Sequence, residues 1–260
     1  MEKIFIVIPA YNEEKRIGAT LEEYSKFFDE LQARKIIDYE LVIVINNTKD
    51  KTEEIVRGIQ KKNKRIRYLN FKRGGKGFAI TEGFKEALKD ERNSIIGFVD
   101  ADMATSPYFF YGLVKNIRNY GGAVANRYMR GSKINLTFKR RMISRVFNLV
   151  VRTLFMMNYS DTQCGAKIFR RKILEKIVPE LGMTAWAFDI DLLYRCKKNK
   201  IRIRQVPTVW HEKKESKMDI KKDSIKMFMA VFQLRILNSP FRRFWKIVNL
   251  IAGLFWRVIK

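Results

Sequence analysis

Ile95-Ile96-Gly97-Phe98-Val99-Asp100-Ala101-Asp102 is an apolar run that ends in two carboxylates one residue apart. A run of this length, bounded by polar residues, predicts a buried strand. In an open parallel sheet, ligands bind beyond the carboxyl ends of the strands, which sets Asp100 and Asp102 at a rim where a small molecule sits. If the chain stays extended, alternation turns Ala101 away and puts both carboxylates on one side. Two such groups repel unless a cation or a proton lies between them. Hard oxygen ligands suit Mg2+ or Mn2+, ions that commonly also hold substrate phosphates. A strand that merely closes in an acidic turn gives the same short pattern, so the rest of the chain has to separate the two readings.

Upstream, Ile4-Phe5-Ile6-Val7-Ile8 is a second continuous apolar run, stopped by Pro9. It has the character of a central strand buried on both faces. Asn12 is placed to cap the next helix, with Glu13 and Glu14 in its first turn. Apolar residues at Ile17, Leu21, Tyr24, Phe27, Phe28 and Leu31 carry that helix to about residue 32. Residues 39–45 form another apolar run, followed by the turn Asn46-Asn47-Thr48-Lys49-Asp50, a helix from near Thr52 and a short strand over 65–69. Lys72-Arg73-Gly74-Gly75-Lys76-Gly77 is a flexible basic loop ahead of a helix. Glycines let backbone approach an anion and a helix start attracts one, but the phosphate-loop spacing is absent, so a basic surface turn reads equally well. Downstream, Pro107 opens a helix to about residue 119, and residues 121–126 read as a fifth strand. Strands alternating with helices predict an α/β fold with a mostly parallel sheet and helices on both faces.

The chain of 260 residues is long enough for a sizeable core, and 53 basic against 27 acidic residues give a formal charge of +26. Such a charge attracts nucleic acid, an anionic membrane surface or phosphorylated substrates. Cys164 and Cys196 are too few for a disulfide framework or a zinc site, which points to a reducing compartment. Met1-Glu2-Lys3 leads directly into a strand-like run, so no signal peptide is expected. No uncharged apolar stretch approaches the roughly 20 residues that span a bilayer. Beyond Arg127 the texture changes. Residues 139–159 mix basic side chains with Met142, Val146, Phe147, Leu149 and Phe155, as an amphipathic helix does. The same flavour returns from residue 219, and Phe241-Arg242-Arg243-Phe244-Trp245-Lys246 and Phe255-Trp256-Arg257 set aromatics beside cations. That pattern suits a membrane interface; core helices with snorkelling cations are the alternative, the more so for the first helix.

Ile6-Val7-Ile8-Pro9-Ala10-Tyr11-Asn12-Glu13-Glu14, the Gly75-Lys76-Gly77 loop and Asp100-Ala101-Asp102 are followed in order by three further segments. These are Asp161-Thr162-Gln163-Cys164-Gly165-Ala166-Lys167, Trp186-Ala187-Phe188-Asp189-Ile190-Asp191, and Val206-Pro207-Thr208-Val209-Trp210 with Ser216-Lys217. Together they resemble the inverting glycosyltransferases of family 2, within them the dolichyl- or polyprenyl-phosphate glucosyl and mannosyl synthases, over about residues 4–218. The resemblance implies a GT-A (Rossmann-like) catalytic domain over residues 1–218, amphipathic interfacial helices at 139–159 and 219–260, and a site on the cytoplasmic face of a membrane without a transmembrane span. It also implies transfer of glucose or mannose from a UDP- or GDP-sugar to a dolichyl or polyprenyl phosphate, with Mg2+ or Mn2+.

The roles follow the matched positions. Pro9, Ala10, Tyr11 and Glu13 wall the base and ribose, Asn47 meets the base, and Lys76 meets a phosphate or the sugar near it. Asp100 sits by the ribose or the ion, and Asp102 is its main ligand. Gln163 and Asp189 or Asp191 line the donor-sugar pocket as candidate catalytic groups, although Asp189 also reads as a structural hydrogen-bonding group. Arg127, Arg140 and Ser144 grip the acceptor phosphate, where an arginine fork binds oxygens in pairs. A lipid phosphate is already anionic, so a strong general base is less needed than for a sugar hydroxyl. Asn46-Asn47 stands where the family writes two Asp, and Asn47 offers a neutral, weaker acceptor to the base. Ala104 stands where some mannosyl members carry a polar ligand. His211 reads equally as an acceptor-side or a plain surface residue. Three rivals remain: the same chemistry on a sugar or glycolipid acceptor, a non-catalytic relative, and a basic nucleic-acid-binding protein, against which no nucleic-acid module is found.

Overall fold

Alternation of apolar side chains along the strands builds the layers of this molecule. Ile4, Ile6 and Ile8 of strand β1 (Lys3–Ala10) bury on one face of the sheet, and Phe5 and Val7 on the other. The computed structural model describes residues 1–135, 137–182, 187–211 and 220–240, without the side chains at 139, 211 and 220–224. Trp186, Ser216, Lys217, the side chain of His211 and the aromatic tail beyond residue 240 therefore lie outside the described residues.

In chain order the elements are α1 (Ile17–Ala33), β2 (Asp38–Asn46), α2 (Thr52–Lys62), β3 (Ile66–Phe71), α3 (Lys76–Ala87), β4 (Asn93–Val99), α4 (Pro107–Asn116), β5 (Gly122–Asn126) and β6 (Lys133–Asn135). Then come α5 (Phe138–Phe155), β7 (Ala166–Arg170), α6 (Arg171–Ile177), α7 (Phe188–Lys198), β8 (Ile203–Pro207), β9 (Val209–His211) and α8 (Ile220–Leu237). A seven-stranded sheet has the order β3-β2-β1-β4-β7-β5-β8, and β6 and β9 form a small ribbon. All neighbours in the large sheet run parallel except β7, which lies antiparallel to both β4 and β5. Tyr24, Phe28 and Phe110 cover one face, while Phe84, Leu174 and Phe188 cover the other. Burying a side chain of this size contributes about 1.5–3 kcal/mol. A third cluster joins α5, α7 and α8 through Phe147, Val151, Phe155, Ile190, Leu193, Val231 and Leu234.

Several expectations are corrected here. Asn12 does not cap α1: it sits at φ 53° and accepts from the Lys49 N–H, and the helix opens at Ile17. Glu13 and Glu14 stay in the preceding loop because their backbone N–H groups donate to Thr52 Oγ1 (2.8 Å) and Asp50 Oδ2 (3.0 Å). Strand geometry ends at Val99, so Ala101 and Asp102 lie in a turn. Thr20 donates to Ala101 O (2.7 Å) and Tyr24 to Thr105 O (2.8 Å), so α1 holds that turn from beneath. Helix α4 stops at Asn116, three residues early, in a turn that leads to Arg118 at φ 32°. Helix α5 covers most of the expected 139–159 span; Met156 at φ 48° closes it, and the Lys197 ammonium donates to the carbonyls of Phe155 and Met156. Helix α8 packs onto α5 and α7: Ala230, Val231 and Leu234 are buried and Phe228 lies edge-on to Phe147. Among the described residues no helix is long and apolar enough to cross a membrane.

Candidate active site

The carboxyl ends of β1, β2 and β4 meet at one rim, and Asp100 is its centre. The Asp100 N–H donates to Gly165 O (3.0 Å), and its carboxylate packs against Gly165. A Cβ at 165 would stand 1.8 Å from Asp100 Oδ2, so only glycine fits. Lys76, at the start of α3, places its ammonium 2.5 Å from Asp100 Oδ1. Gly75 before it adopts φ +124°, a conformation that side-chain-bearing residues rarely take. The loop is tied down by Asn46: one orientation of its amide satisfies both neighbours, donating to Ala10 O (2.8 Å) and accepting from the Gly75 N–H (3.0 Å).

Charges alternate inward from this pair. Asp189, in the first turn of α7, accepts at Oδ1 from the Lys167 ammonium (2.5 Å), which also donates to Cys164 O (2.7 Å). Burial works against charge on Lys76, yet Asp100, Asp189 and Asp102 outweigh it and hold the ammonium above the usual lysine range. Asp100 is pushed up by burial and by Asp102, against the pull of Lys76. Asp102 accepts at Oδ1 from the Ala104 N–H (2.9 Å). Glu13 is pushed up by burial despite its paired bonds from Arg16 (2.6 and 2.7 Å), and feels both acids. The structure separates the two candidates on α7. Two helical positions lie about 200° apart, and Asp191 is buried, where it accepts from Arg195 Nε and the Gly182 N–H (2.9 Å each).

The expected base wall is two loops bound to each other. Asn12 accepts from the Lys49 N–H, Glu14 from the Lys51 N–H, and Asp50 accepts from both the N–H and hydroxyl of Thr52. Tyr11 is exposed beside Pro9 and Ala10, and Asn47 stands exposed at φ 52°. Sequence reasoning gave Asp50 and Thr52 no role, although they belong to the Asn46–Thr52 motif.

The acceptor side is assembled differently. Arg127 was expected to grip a phosphate, but its Nε and Nη2 donate to the two oxygens of fully buried Asp161 (2.8 and 2.9 Å) and its N–H to the same carboxylate. Burial opposes both charges; the pairing still raises Arg127 and lowers Asp161. The guanidinium lies 5.4 Å from the Trp210 ring centroid and 5.7 Å from that of Tyr128. Ser144 accepts from the Tyr128 hydroxyl (2.5 Å), and Asn148 Oδ1 accepts twice from Thr162 (3.1 Å each), fastening α5 to the loop that carries Gln163. Gln163 is half-buried, with its N–H on Asp161 Oδ1 (3.3 Å); Arg140 lies in the first turn of α5. Burial pushes the Cys164 thiol up to about 12, which makes it inert rather than nucleophilic.

The donor set suits a divalent ion only in partnership. Among the described residues no three acidic, histidine or cysteine side chains gather as a complete cage. Asp100 and Asp102 offer hard carboxylate oxygens beside a cationic loop, which fits an ion whose remaining ligands are water and phosphate oxygens.

A model of Glycosyl transferase family 2 matches residues 5–178. The chain is 31% identical over 243 residues to a dolichyl-phosphate beta-glucosyltransferase of Dictyostelium discoideum, covering 88% of this chain and 73% of that protein. It is 30% identical over 258 residues to the dolichyl-phosphate beta-glucosyltransferase of Saccharomyces cerevisiae, covering 90% and 75%. Among solved structures, glucosyl-3-phosphoglycerate synthase from Mycobacterium tuberculosis with UDP matches with a TM-score of 0.66 at 17% identity, over 90% of this chain and 80% of that one. The same protein with Mn2+, UDP-glucose and phosphoglyceric acid gives 0.65 at 17% identity, over 90% and 80%. At that identity the likeness is one of fold.

Proposed function

The chain belongs to glycosyl transferase family 2, and from that premise we propose that it transfers glucose from UDP-glucose to a dolichyl or polyprenyl phosphate, with inversion, on an anionic membrane surface. The observation that carries this reading is the adjacency of two unlike features. One is the acid-and-ammonium rim at Asp100. The other is α5, whose Asn148 is bonded to Thr162 in the loop that runs on to Gly165 against Asp100, and which exposes Phe138, Met142, Val146 and Leu149 at helical spacing, with Arg141 and Arg145 also exposed. A water-soluble anionic donor suits the first and a lipid acceptor the second. The names of the relatives favour glucose and dolichyl phosphate.

The residues divide the work. Asp100 and Asp102 would hold Mg2+ or Mn2+ together with the diphosphate, and the bound ion would neutralise charge on the departing nucleotide. Tyr11, Glu13 and Asn47 shape the base-and-ribose wall, while the Lys76 ammonium offers hydrogen bonds and positive charge to a phosphate or the sugar. Asp189 and Gln163 orient the hexose. Ser144 and Arg140 receive the acceptor phosphate and hold its oxygen in line with the anomeric carbon. Arg127, spent on Asp161, shapes that pocket, and among the described residues its Nη1 makes no hydrogen bond. The protein would act as a peripheral or monotopic protein of the cytoplasmic membrane face. The deciding experiment is a screen of UDP- and GDP-sugars with Mn2+ and a polyprenyl phosphate, scored for lipid-linked sugar. UDP-glucose should give product; turnover only with a non-lipid acceptor, or salt-sensitive nucleic-acid binding without donor binding, would replace the reading.

A further inference from the structure

Lys167 belongs to a motif noted in the sequence, yet no role above uses it. It lies at the second position of β7, and its side chain is fully buried. A buried ammonium costs several kcal/mol unless acceptors meet its protons. Lys167 finds two, Cys164 O and Asp189 Oδ1 (2.7 and 2.5 Å), and the Phe98 ring lies with its centroid 5.3 Å from Nζ. Phe98 has a second ammonium near it, that of Lys76 at 5.9 Å. Phe98 is thus a shared floor under two cations.

The two buried ion pairs are equally enclosed, with one member of each 13% exposed and the other 0%, but the open member is the base in Arg127–Asp161 and the acid, Asp189, here. Only Oδ1 of Asp189 is engaged; Oδ2 has no hydrogen-bond partner among the described residues. Lys167 itself cannot touch a substrate. Antiparallel β7 begins where β4 ends, and this direction brings Lys167 under the rim from the sheet side, while α7 brings Asp189 to it from the helix side.

We propose that Lys167 is a positioning residue for the donor hexose: by fixing Oδ1 of Asp189 it leaves Oδ2 to accept from a sugar hydroxyl. The inference rests on the donor reading above and adds to it a division of labour. Nucleotide affinity comes from the loops at 10–14 and 46–52 and from Lys76, and sugar recognition comes through the Lys167–Asp189 pair.

The test is a cycle of Lys167→Met, Asp189→Asn and the double variant, in the full chain. Titration calorimetry with Mn2+–UDP and Mn2+–UDP-glucose is read beside the transfer rate. Each single change should leave UDP affinity within about twofold and lower transfer and the sugar-dependent gain in affinity by about 10- to 100-fold. The double variant should be no worse than the poorer single one. Multiplying effects, or UDP affinity falling in step with UDP-glucose affinity, would show Lys167 to be a general strut and overturn the proposal. Should Lys167→Met unfold, Lys167→Arg and Asp189→Glu keep the charges while displacing Oδ2, and the same split between UDP and UDP-glucose is expected; its absence overturns the proposal. Wild-type protein that binds neither nucleotide overturns the donor reading first, and this inference with it.

Discussion

At the ends of β1, β2 and β4, Glu13, Asp50, Lys76 and Asp100 are each held by another group of the chain. On the outer face of α5, Phe138, Met142, Val146 and Leu149 stand in solvent, 79%, 51%, 52% and 60% exposed. The same helix buries Phe147, Val151 and Phe155 on its other side. The first region is preorganised: its hydrogen bonds exist before any ligand arrives, so binding orders few side chains. The second leaves its apolar contacts unmade among the described residues, as the proposed membrane-facing surface requires.

Changes that break this contrast should separate chemistry, stability and surface binding. Asp102→Ala should lower metal-dependent transfer by about 10³-fold or more while thermal unfolding stays near wild type, because the side chain sits in a turn held by its neighbours. An unchanged rate with Mn2+ ends the role given to the acidic pair. Arg127→Ala tests the acceptor side from within. It strands a buried carboxylate, at a cost of about 3 kcal/mol or more, visible as a fall in melting temperature. Arg140→Ala should also lower transfer, with the rate read per folded protein.

Met142→Glu combined with Leu149→Glu should weaken binding to anionic vesicles by about tenfold or more and leave the melting temperature alone. Retained vesicle binding would move the membrane contact to another face. The smallest effect concerns acid. Asp161 is lowered below its ordinary 3.8, because Arg127 and the backbone overcome the opposing effect of burial. A depressed carboxylate contributes stability that is complete above its unfolded pKa and is lost as pH falls through the folded one. Melting temperature should therefore owe nothing to this pair's titration between about pH 5 and 8 and decline below about pH 4, with a shallower decline in Arg127→Ala.

Much of the donor side was legible because it rests on local pattern. The apolar runs of β1, β2 and β4 announced themselves, and the acids after β4 stood where strand ends place ligands. Strand β7 was not announced: Ala166-Lys167-Ile168-Phe169-Arg170 sets a charge inside a short run, and the opposite charge that meets it, Asp189, lies 22 residues on. The same long-range dependence hid Arg127, whose partner lies 34 residues away. The sequence reading assigned the structural alternative to Asp189, but the rotation of α7 buries Asp191 in that part instead. Asn12 has the composition of a helix cap, but the side chains of Asp50 and Thr52, invisible to local pattern, draw the next residues into a loop.

Strand β7 also has a consequence for the newborn chain. Among the described strands it alone joins the sheet's first half, β3-β2-β1-β4, to β5 and β8. On the ribosome, β4 emerges with an open edge and keeps it until residues 166–170 follow, a wait of several seconds at roughly 5–20 residues per second. An uncovered strand edge invites pairing with other chains. Nascent chains stalled before residue 166 should thus be protease-sensitive and chaperone-bound, and those stalled well beyond residue 207 should be neither.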